Sequence, residues 1–319
     1  MSGVPGRGAR SAEVPEQRET QYAYHRELFP ALHDWERTER SIVEFTGEAG
    51  PSGLLGLDQM GHFGPQGCDL VADAVRDRAV SASWTPPVAL CELGSGFGGA
   101  LRYTVDRLAS VGVPVRRAFG VELVAEHVAV SRRISERHGF VQVTEVCASA
   151  TEVPLPGGSL DVVVVTGSMP HFPDPRAVLQ EAARLLRPGG MLVLTEEVSL
   201  TSASAPPSRE FRRTHPEGVF FTTPLPDRLR QLAEAGFTDV ARRDLMPWAV
   251  ELLAERLKVV RLFRGSVAGI YGEGATDLIR ETLTAARAEY RAGRLLPSLI
   301  TAVRAASGPD TQDTRGGVS

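Results

Sequence analysis

Residues Val88 to Gly99 read Val-Ala-Leu-Cys-Glu-Leu-Gly-Ser-Gly-Phe-Gly-Gly. An apolar run leads to a carboxylate at Glu92. Gly94, Gly96, Gly98 and Gly99 follow, and the helical pattern Ala100–Leu108 begins at once. The stretch spells a buried strand, a sharp turn and a helix start. Glycines let the backbone turn tightly and leave bare main chain for a ligand to lie against. The helix start behind them offers unpaired N–H groups. A chain with this corner is committed to an α/β layer.

Elements on either side repeat the alternation, which implies a parallel sheet with helices on both faces. Strands are expected at Val88–Leu93, Arg117–Val121, Val141–Val146, Asp161–Thr166, Met191–Thr195 and Thr238–Leu245. The valine run of Asp161–Thr166 fits a strand buried on both faces. Helices are expected over Cys68–Val80, Gly99–Val111, Ala125–His138, Asp174–Leu186, Pro226–Ala235, Trp248–Phe263 and Thr276–Tyr290. Leu295–Arg304 reads as a last strand. Tyr24, Leu28, Leu32 and Trp35 recur at helical spacing before the core.

Gly94, Gly96 and Gly99 also satisfy the dinucleotide pattern G-x-G-x-x-G, which alone is weak. Glu92 discriminates. A carboxylate beside the first glycine repels a pyrophosphate and suits a ligand carrying an ammonium group. Glu122 lies at the end of the second strand, where an acidic side chain meets ribose hydroxyls in nucleoside-binding α/β folds.

Glu92-Leu93-Gly94-Ser95-Gly96-Phe97-Gly98 resembles the first motif of class I S-adenosylmethionine (SAM)-dependent methyltransferases. Leu185-Leu186-Arg187-Pro188-Gly189-Gly190 is a second match: a helix stopped before an inner strand. The stretch Cys147–Asp161 looks like the family's adenine-binding turn, with Ala148-Ser149-Ala150 where Gly-Asp-Ala is usual. Asp58, Gln59 and His62, in the glycine-rich loop Gly53–Gly67, are similar to the Asp-Gln-x-His-x-Gly segment of sarcosine/dimethylglycine- and terpenoid-methylating enzymes, with His62 displaced by one position. The resemblance implies a doubly wound, seven-stranded, mostly parallel Rossmann-like sheet, with its seventh strand antiparallel between the fifth and sixth. It implies SAM as cofactor, held by Glu92, Gly94, Ser95, Gly96, Gly98, Glu122, Leu123, Ser149, Ala150 and Thr166. The acceptor is expected to be a small organic molecule of natural-product type.

The implied organisation is a disordered segment 1–20, an N-terminal helical cap segment 21–82, a SAM-binding core 83–248 plus 294–305, inserted cap helices 249–293 and a disordered tail 306–319. Candidate bases are His171, His62, Asp58 and Glu197. His171 follows the fourth strand, in a loop that normally faces the transferred methyl; it either accepts a proton, or packs on the cofactor edge or caps the next helix. His127 and His138 are expected at the surface. Thr201–Thr223 reads as a long loop, whose Arg209, Arg212 and Arg213 either clamp an anionic acceptor or are merely solvated.

Composition narrows the partners. The 319 residues suffice for a large core, and the net charge of −4 gives no nucleic-acid or anionic-membrane footprint. Cys68, Cys91 and Cys147 show no paired spacing, which fits a reduced, cytoplasmic protein. No apolar run reaches spanning length and Met1–Arg10 carries no secretory core. No metal-ligand spacing is visible, although magnesium stays open if the acceptor carries a diphosphate. A homo-oligomer stays open too. Two other readings stand beside methyl transfer: an NAD-dependent oxidoreductase, disfavoured by Glu92 and the Arg187–Gly190 stop, and a SAM-fold binding protein without turnover.

Overall fold

The computed structural model describes residues 7–47, 57–199 and 207–306. The chain opens with α1 (Arg7–Leu28), a single 3-10 turn (Pro30–His33), α2 (Trp35–Thr46) and α3 (Gly64–Ser81). The alternating core runs β1 (Val88–Leu93), α4 (Gly99–Ser110), β2 (Val115–Glu122), α5 (Ala125–Arg137), β3 (Val143–Cys147), β4 (Leu160–Thr166), α6 (Pro175–Leu185) and β5 (Leu186–Ser199). Then come α7 (Arg209–Thr214), α8 (Leu225–Glu234) and β6 (Phe237–Asp244). Three helices, α9 (Met246–Leu262), α10 (Arg264–Tyr271) and α11 (Glu273–Arg291), precede β7 (Leu295–Arg304).

The seven strands form one sheet in the order β3-β2-β1-β4-β5-β7-β6. β7 is antiparallel to both β5 and β6, while the inner pairs are parallel. This is the arrangement expected from the sequence. Alternation along β1 divides the core. Val88 and Leu90 pack with Val71, Leu101, Leu253 and Leu283 on one face. Ala89, Cys91 and Leu93 pack with Leu179, Ala182 and Leu232 on the other. With both faces covered, all six residues of β1 are buried, and the carboxyl ends of the strands are left as the place for a ligand.

Three expectations change. Residues 7–20 belong to α1, so the disorder expected over 1–20 does not hold there; residues 1–6 lie outside the described residues. The Pro, Arg and Glu content that suggested disorder coexists with straight-chain helix formers, and the helix is anchored where Gln17 donates to the His171 carbonyl at 3.2 Å. The expected loop Thr201–Thr223 contains the short helix α7, capped by Ser208, whose Oγ accepts from Phe211 N. Its residues 201–206, and residues 307–319 of the expected tail, are outside the described residues. α10 was hidden by its two glycines, Gly265 and Gly269, which lower helix propensity; packing of Val267, Ile270 and Tyr271 against Leu32, Trp35 and Ile42 holds it.

Candidate active site

The glycine corner is built on backbone that side chains resist. Gly94, Gly96 and Gly98 all have positive φ (73°, 54° and 73°). A Cβ on Gly94 would lie 2.7 Å from Ser168 Oγ, so the loop is both strained and crowded for any larger residue. Ser168 in turn donates to the Leu93 carbonyl at 2.7 Å. Arg102 on α4 ties the corner down from below. Its guanidinium donates to Phe97 O at 2.6 Å, to Asp58 Oδ2 at 3.0 Å and to the Ser131 and Ser135 hydroxyls at 3.1 and 3.2 Å.

Glu92 is 1% exposed and its Oε2 has no hydrogen-bond partner among the described residues. Burial pushes its carboxyl up to about 8, only partly offset by Thr166 and Arg102, with Glu122 adding to the rise. A buried carboxylate oxygen left bare is costly unless something donates to it. Glu122, at the end of β2, accepts from Gly96 N at 3.0 Å and Val124 N at 2.9 Å, which fixes its head beside the corner. Ser149 accepts from Thr151 N, while Thr166, at the end of β4, keeps a buried hydroxyl without a partner among the described residues.

A second cluster lies in the same cavity. His62, on the loop before α3, places Nδ1 2.9 Å from Glu197 Oε1 on β5. An ionised carboxylate can only accept, so Nδ1 carries a proton, and in the neutral ring Nε2 is the basic nitrogen. Tyr290 of α11 donates to the same Glu197 oxygen at 2.6 Å. Burial alone would raise the Glu197 carboxyl; His62, Tyr290 and His171 overcome it and hold it below its ordinary value. Burial and the neighbouring Glu197 push the Tyr290 phenol well above its usual range, so it stays protonated. Arg256 of α9 binds the backbone here, donating to Gly61 O at 2.9 Å and also to His62 O.

One cavity of about 1340 Å³ takes in both clusters. Ligand pockets are commonly about 300–1,000 Å³, so this one has room for a nucleoside and a second molecule. Glu92, Gly94, Ser95, Glu122, Leu123, Ser149, Ala150 and Thr166 line it, as do Asp58, His62, His171 and Glu197. Gly96 and Gly98 do not; they shape the turn behind it. α1 contributes Gln17, Gln21, Tyr24 and His25 to the wall, and α11 contributes Ile279, Thr282 and Leu283.

Among the expected bases, Asp58 is spent on Arg102 in a buried ion pair, both side chains 5% exposed or less. His171 Nδ1 donates to Val219 O at 2.9 Å, and its ring meets those of Tyr24, His25 and Phe220. Burial lowers its basicity. Arg209, Arg212 and Arg213 do not line the cavity: Arg213 pairs with Glu281 and Arg212 donates to Pro207 O. Of His127 and His138, both expected at the surface, His127 is buried and His138 half-buried. The His127 side chain is 0% exposed, 4.4 Å from the Phe97 ring, and His138 pairs with Glu39 at 3.1 Å. His127, Val130, Ser131 and Ile134 form the inner stripe of α5, a spacing that could have placed His127 inside. Tyr290 and Arg256 were missed, since on an amphipathic helix they read as ordinary facing residues.

Comparison with known proteins agrees with this geometry. Residues 91–194 match the profile of a family described as "Methyltransferase domain". The chain is 30% identical to the 27-O-demethylrifamycin SV methyltransferase of Amycolatopsis mediterranei, over 44% of this chain and 57% of the relative. It is 27% identical to the sarcosine/dimethylglycine N-methyltransferase of Halorhodospira halochloris, over 55% and 58%. The chain thus spans little more than half the length of these relatives. Its fold is similar to that of phosphoethanolamine N-methyltransferase 2 of Haemonchus contortus, solved with SAM (TM-score 0.59, 18% identity, 73% of this chain and 53% of that one). It is also similar to geranyl diphosphate C-methyltransferase of Streptomyces coelicolor A3(2) (TM-score 0.56, 18% identity, 73% and 79%).

Sheet order, glycine corner and matched domain together define the class I methyltransferase fold. The chain carries a methyltransferase domain over residues 91–194 and is similar to class I SAM-dependent methyltransferases. The bare Glu92 oxygen and the glycine cradle fit that cofactor: the one suits an ammonium group, the other leaves main chain open to a ligand. Among the described residues, no helix is long and apolar enough to cross a membrane.

Proposed function

We propose that this protein methylates a hydroxyl group of a small organic molecule, with His62 as the general base. The observation that carries this reading is the His62–Glu197 contact at 2.9 Å, in the wall of the cavity that also holds the glycine corner. Glu197 fixes the imidazole tautomer so that Nε2 is the basic atom, and Tyr290 keeps Glu197 ionised and in place. When bound, SAM supplies a methyl already activated by a sulfonium. Its ammonium group would meet Glu92, its ribose Glu122, and its adenine the turn at Ser149-Ala150. The chain's task is then to align the acceptor oxygen, exclude water and take one proton onto His62. α1 with α9–α11 supplies the enclosure, acting as the cap, while His171 positions α1 and the segment around Val219. Two curated relatives are named as O-methyltransferases of this kind or act at an oxygen, which supports a hydroxyl acceptor of natural-product type.

The oxidoreductase reading loses to Glu92, whose buried carboxyl stands beside the turn where a pyrophosphate would have to lie. The test of the proposal is a screen of metabolite extracts with methyl-labelled SAM, comparing the wild type with His62→Gln. The variant should bind S-adenosylhomocysteine within about twofold of wild type and lose on the order of 10²–10⁴-fold in turnover. Undiminished turnover in His62→Gln would remove the base; no labelled product from the wild type would leave a binding protein.

A further inference from the structure

Arg256 carries a charge that no carboxylate among the described residues answers. Its guanidinium lines the cavity and donates to two carbonyls, Gly61 O and His62 O. No carboxylate pairs with it among the described residues, whereas the other arginine of the cavity wall, Arg184, pairs with Glu181 at 2.6 Å. Burial pulls the Arg256 guanidinium down from its usual value, opposed only by the phenols of Tyr271 and Tyr290. A half-buried cation without a counter-ion carries an uncompensated desolvation cost. A planar fork of donors is also the geometry that matches carboxylate and phosphate oxygens.

A second polar group on the same wall is left open. Thr282 of α11 is 7% exposed, lines the cavity, and its hydroxyl has no partner among the described residues. Around these two the wall is apolar, with Phe63, Ile279 and Leu283. The arrangement is a hydrophobic chamber with one cation and one spare hydroxyl, next to the proposed base.

Building on the methyl-transfer reading, we infer that the acceptor is a small organic acid: its carboxylate or phosphate group sits on Arg256 while its hydroxyl faces His62. The guanidinium is fixed to the His62 backbone, so one small molecule can span both groups. The anion at one end then sets which hydroxyl reaches the base, and neutral analogues of the same shape leave the cation bare and bind poorly.

The test uses calorimetry on protein saturated with S-adenosylhomocysteine, titrated with 4-hydroxybenzoate, its methyl ester and inorganic phosphate. At least one anion should bind ten times or more tighter than the ester, and which one does so tells carboxylate from phosphate. Arg256→Gln keeps a donor for the carbonyls and drops the charge; it should erase the preference. Arg256→Lys should retain part of it. Both variants should hold S-adenosylhomocysteine as tightly as wild type. The inference fails if neither anion outbinds the ester, or if Arg256→Gln keeps the preference. It fails also if Arg256→Gln loosens S-adenosylhomocysteine itself, since the guanidinium would then serve the cofactor or the scaffold. Should wild type not bind S-adenosylhomocysteine, the methyl-transfer reading falls, and the same three titrations on free protein still decide whether Arg256 selects anions.

Discussion

The two ends of the cavity are built in opposite ways. At the glycine corner the polar groups come from consecutive strand ends: Glu92 near the end of β1, Glu122 at the end of β2, Ser149 just past β3 and Thr166 at the end of β4. At the far end His62, Glu197, Arg256 and Tyr290 come from a loop, a strand and two helices separated by up to 228 residues. The charges are opposite as well. The corner keeps a carboxylate oxygen without a donor, Glu92 Oε2, and the far end keeps a guanidinium without a carboxylate, Arg256. One end therefore asks for a cation and the other for an anion. That polarity orients two different ligands in one chamber, which is what a group transfer between them needs.

Arg102 is where the two ends are joined, and breaking it should give the largest effect. It holds Phe97 of the glycine corner and Asp58 of the loop leading to His62 with a single guanidinium, 2% exposed. Replacing it with methionine leaves Asp58 buried and unpaired, a loss on the order of 3–5 kcal/mol. Chemical denaturation of Arg102→Met should show a lower midpoint with an unchanged slope. If the two ends were independent, the variant would bind S-adenosylhomocysteine poorly yet keep wild-type stability. Coupling through Arg102 requires both to fall together.

That difference in construction also decides what was legible in the sequence. Order along a parallel sheet fixes which strand ends meet, so the corner and Glu122 could be read from spacing and motif, while the antiparallel place of Leu295–Arg304 came from the family resemblance. His62 and Glu197 were in view as candidate bases because each sits at a loop or a strand end. That they touch was not legible, and neither were Tyr290 and Arg256. Their meeting depends on how α9 and α11 cross over the sheet, which helical periodicity does not encode. The arginines that composition drew attention to, Arg209, Arg212 and Arg213, stay outside. His127 went astray for the same reason in reverse: Tyr22 and His25 of α1 and His33 of the turn after it pack on the face of α5 that carries it.

A smaller effect probes the corner by pH. In the free protein burial holds the Glu92 carboxyl neutral up to about pH 8. An ammonium ligand needs it ionised. Binding of SAM should therefore release a proton across roughly pH 5.5–7.5, below the range near 8 where the ligand's own amine titrates. Affinity should rise with pH by up to about tenfold per unit over that window. For the free protein the sign is the same acid's other face. A carboxyl whose folded value is raised contributes most below its ordinary range of about 4.5, and that contribution is lost as pH rises through about 8. Calorimetry in buffers of different ionisation enthalpy measures the released proton directly. Glu92→Gln should bind more weakly at pH 7.5 and show no pH slope. A slope that survives in Glu92→Gln would mean that another group receives the ammonium.

The far end allows a subtler test, because Tyr290 touches Glu197 and not the reacting atoms. Tyr290→Phe removes one charge-assisted hydrogen bond of 2.6 Å while His62 still holds the same oxygen. A bond of this type contributes about 1.5–3 kcal/mol when both partners are buried. His62 retains most of the alignment, so the expected loss in kcat is about tenfold or less. The diagnostic is the acid side of the pH–rate profile. Tyr290 is one of the groups that hold the Glu197 carboxyl below its ordinary value. Without it Glu197 protonates at higher pH, and a protonated Glu197 no longer fixes the His62 tautomer. The acid limb of kcat should shift upward in pH, with the affinity for S-adenosylhomocysteine unchanged. A uniform drop at all pH values would assign Tyr290 to packing alone. A profile that does not move would separate Glu197 from the base it is placed to orient, and the contrast between the two ends would then rest on Arg256.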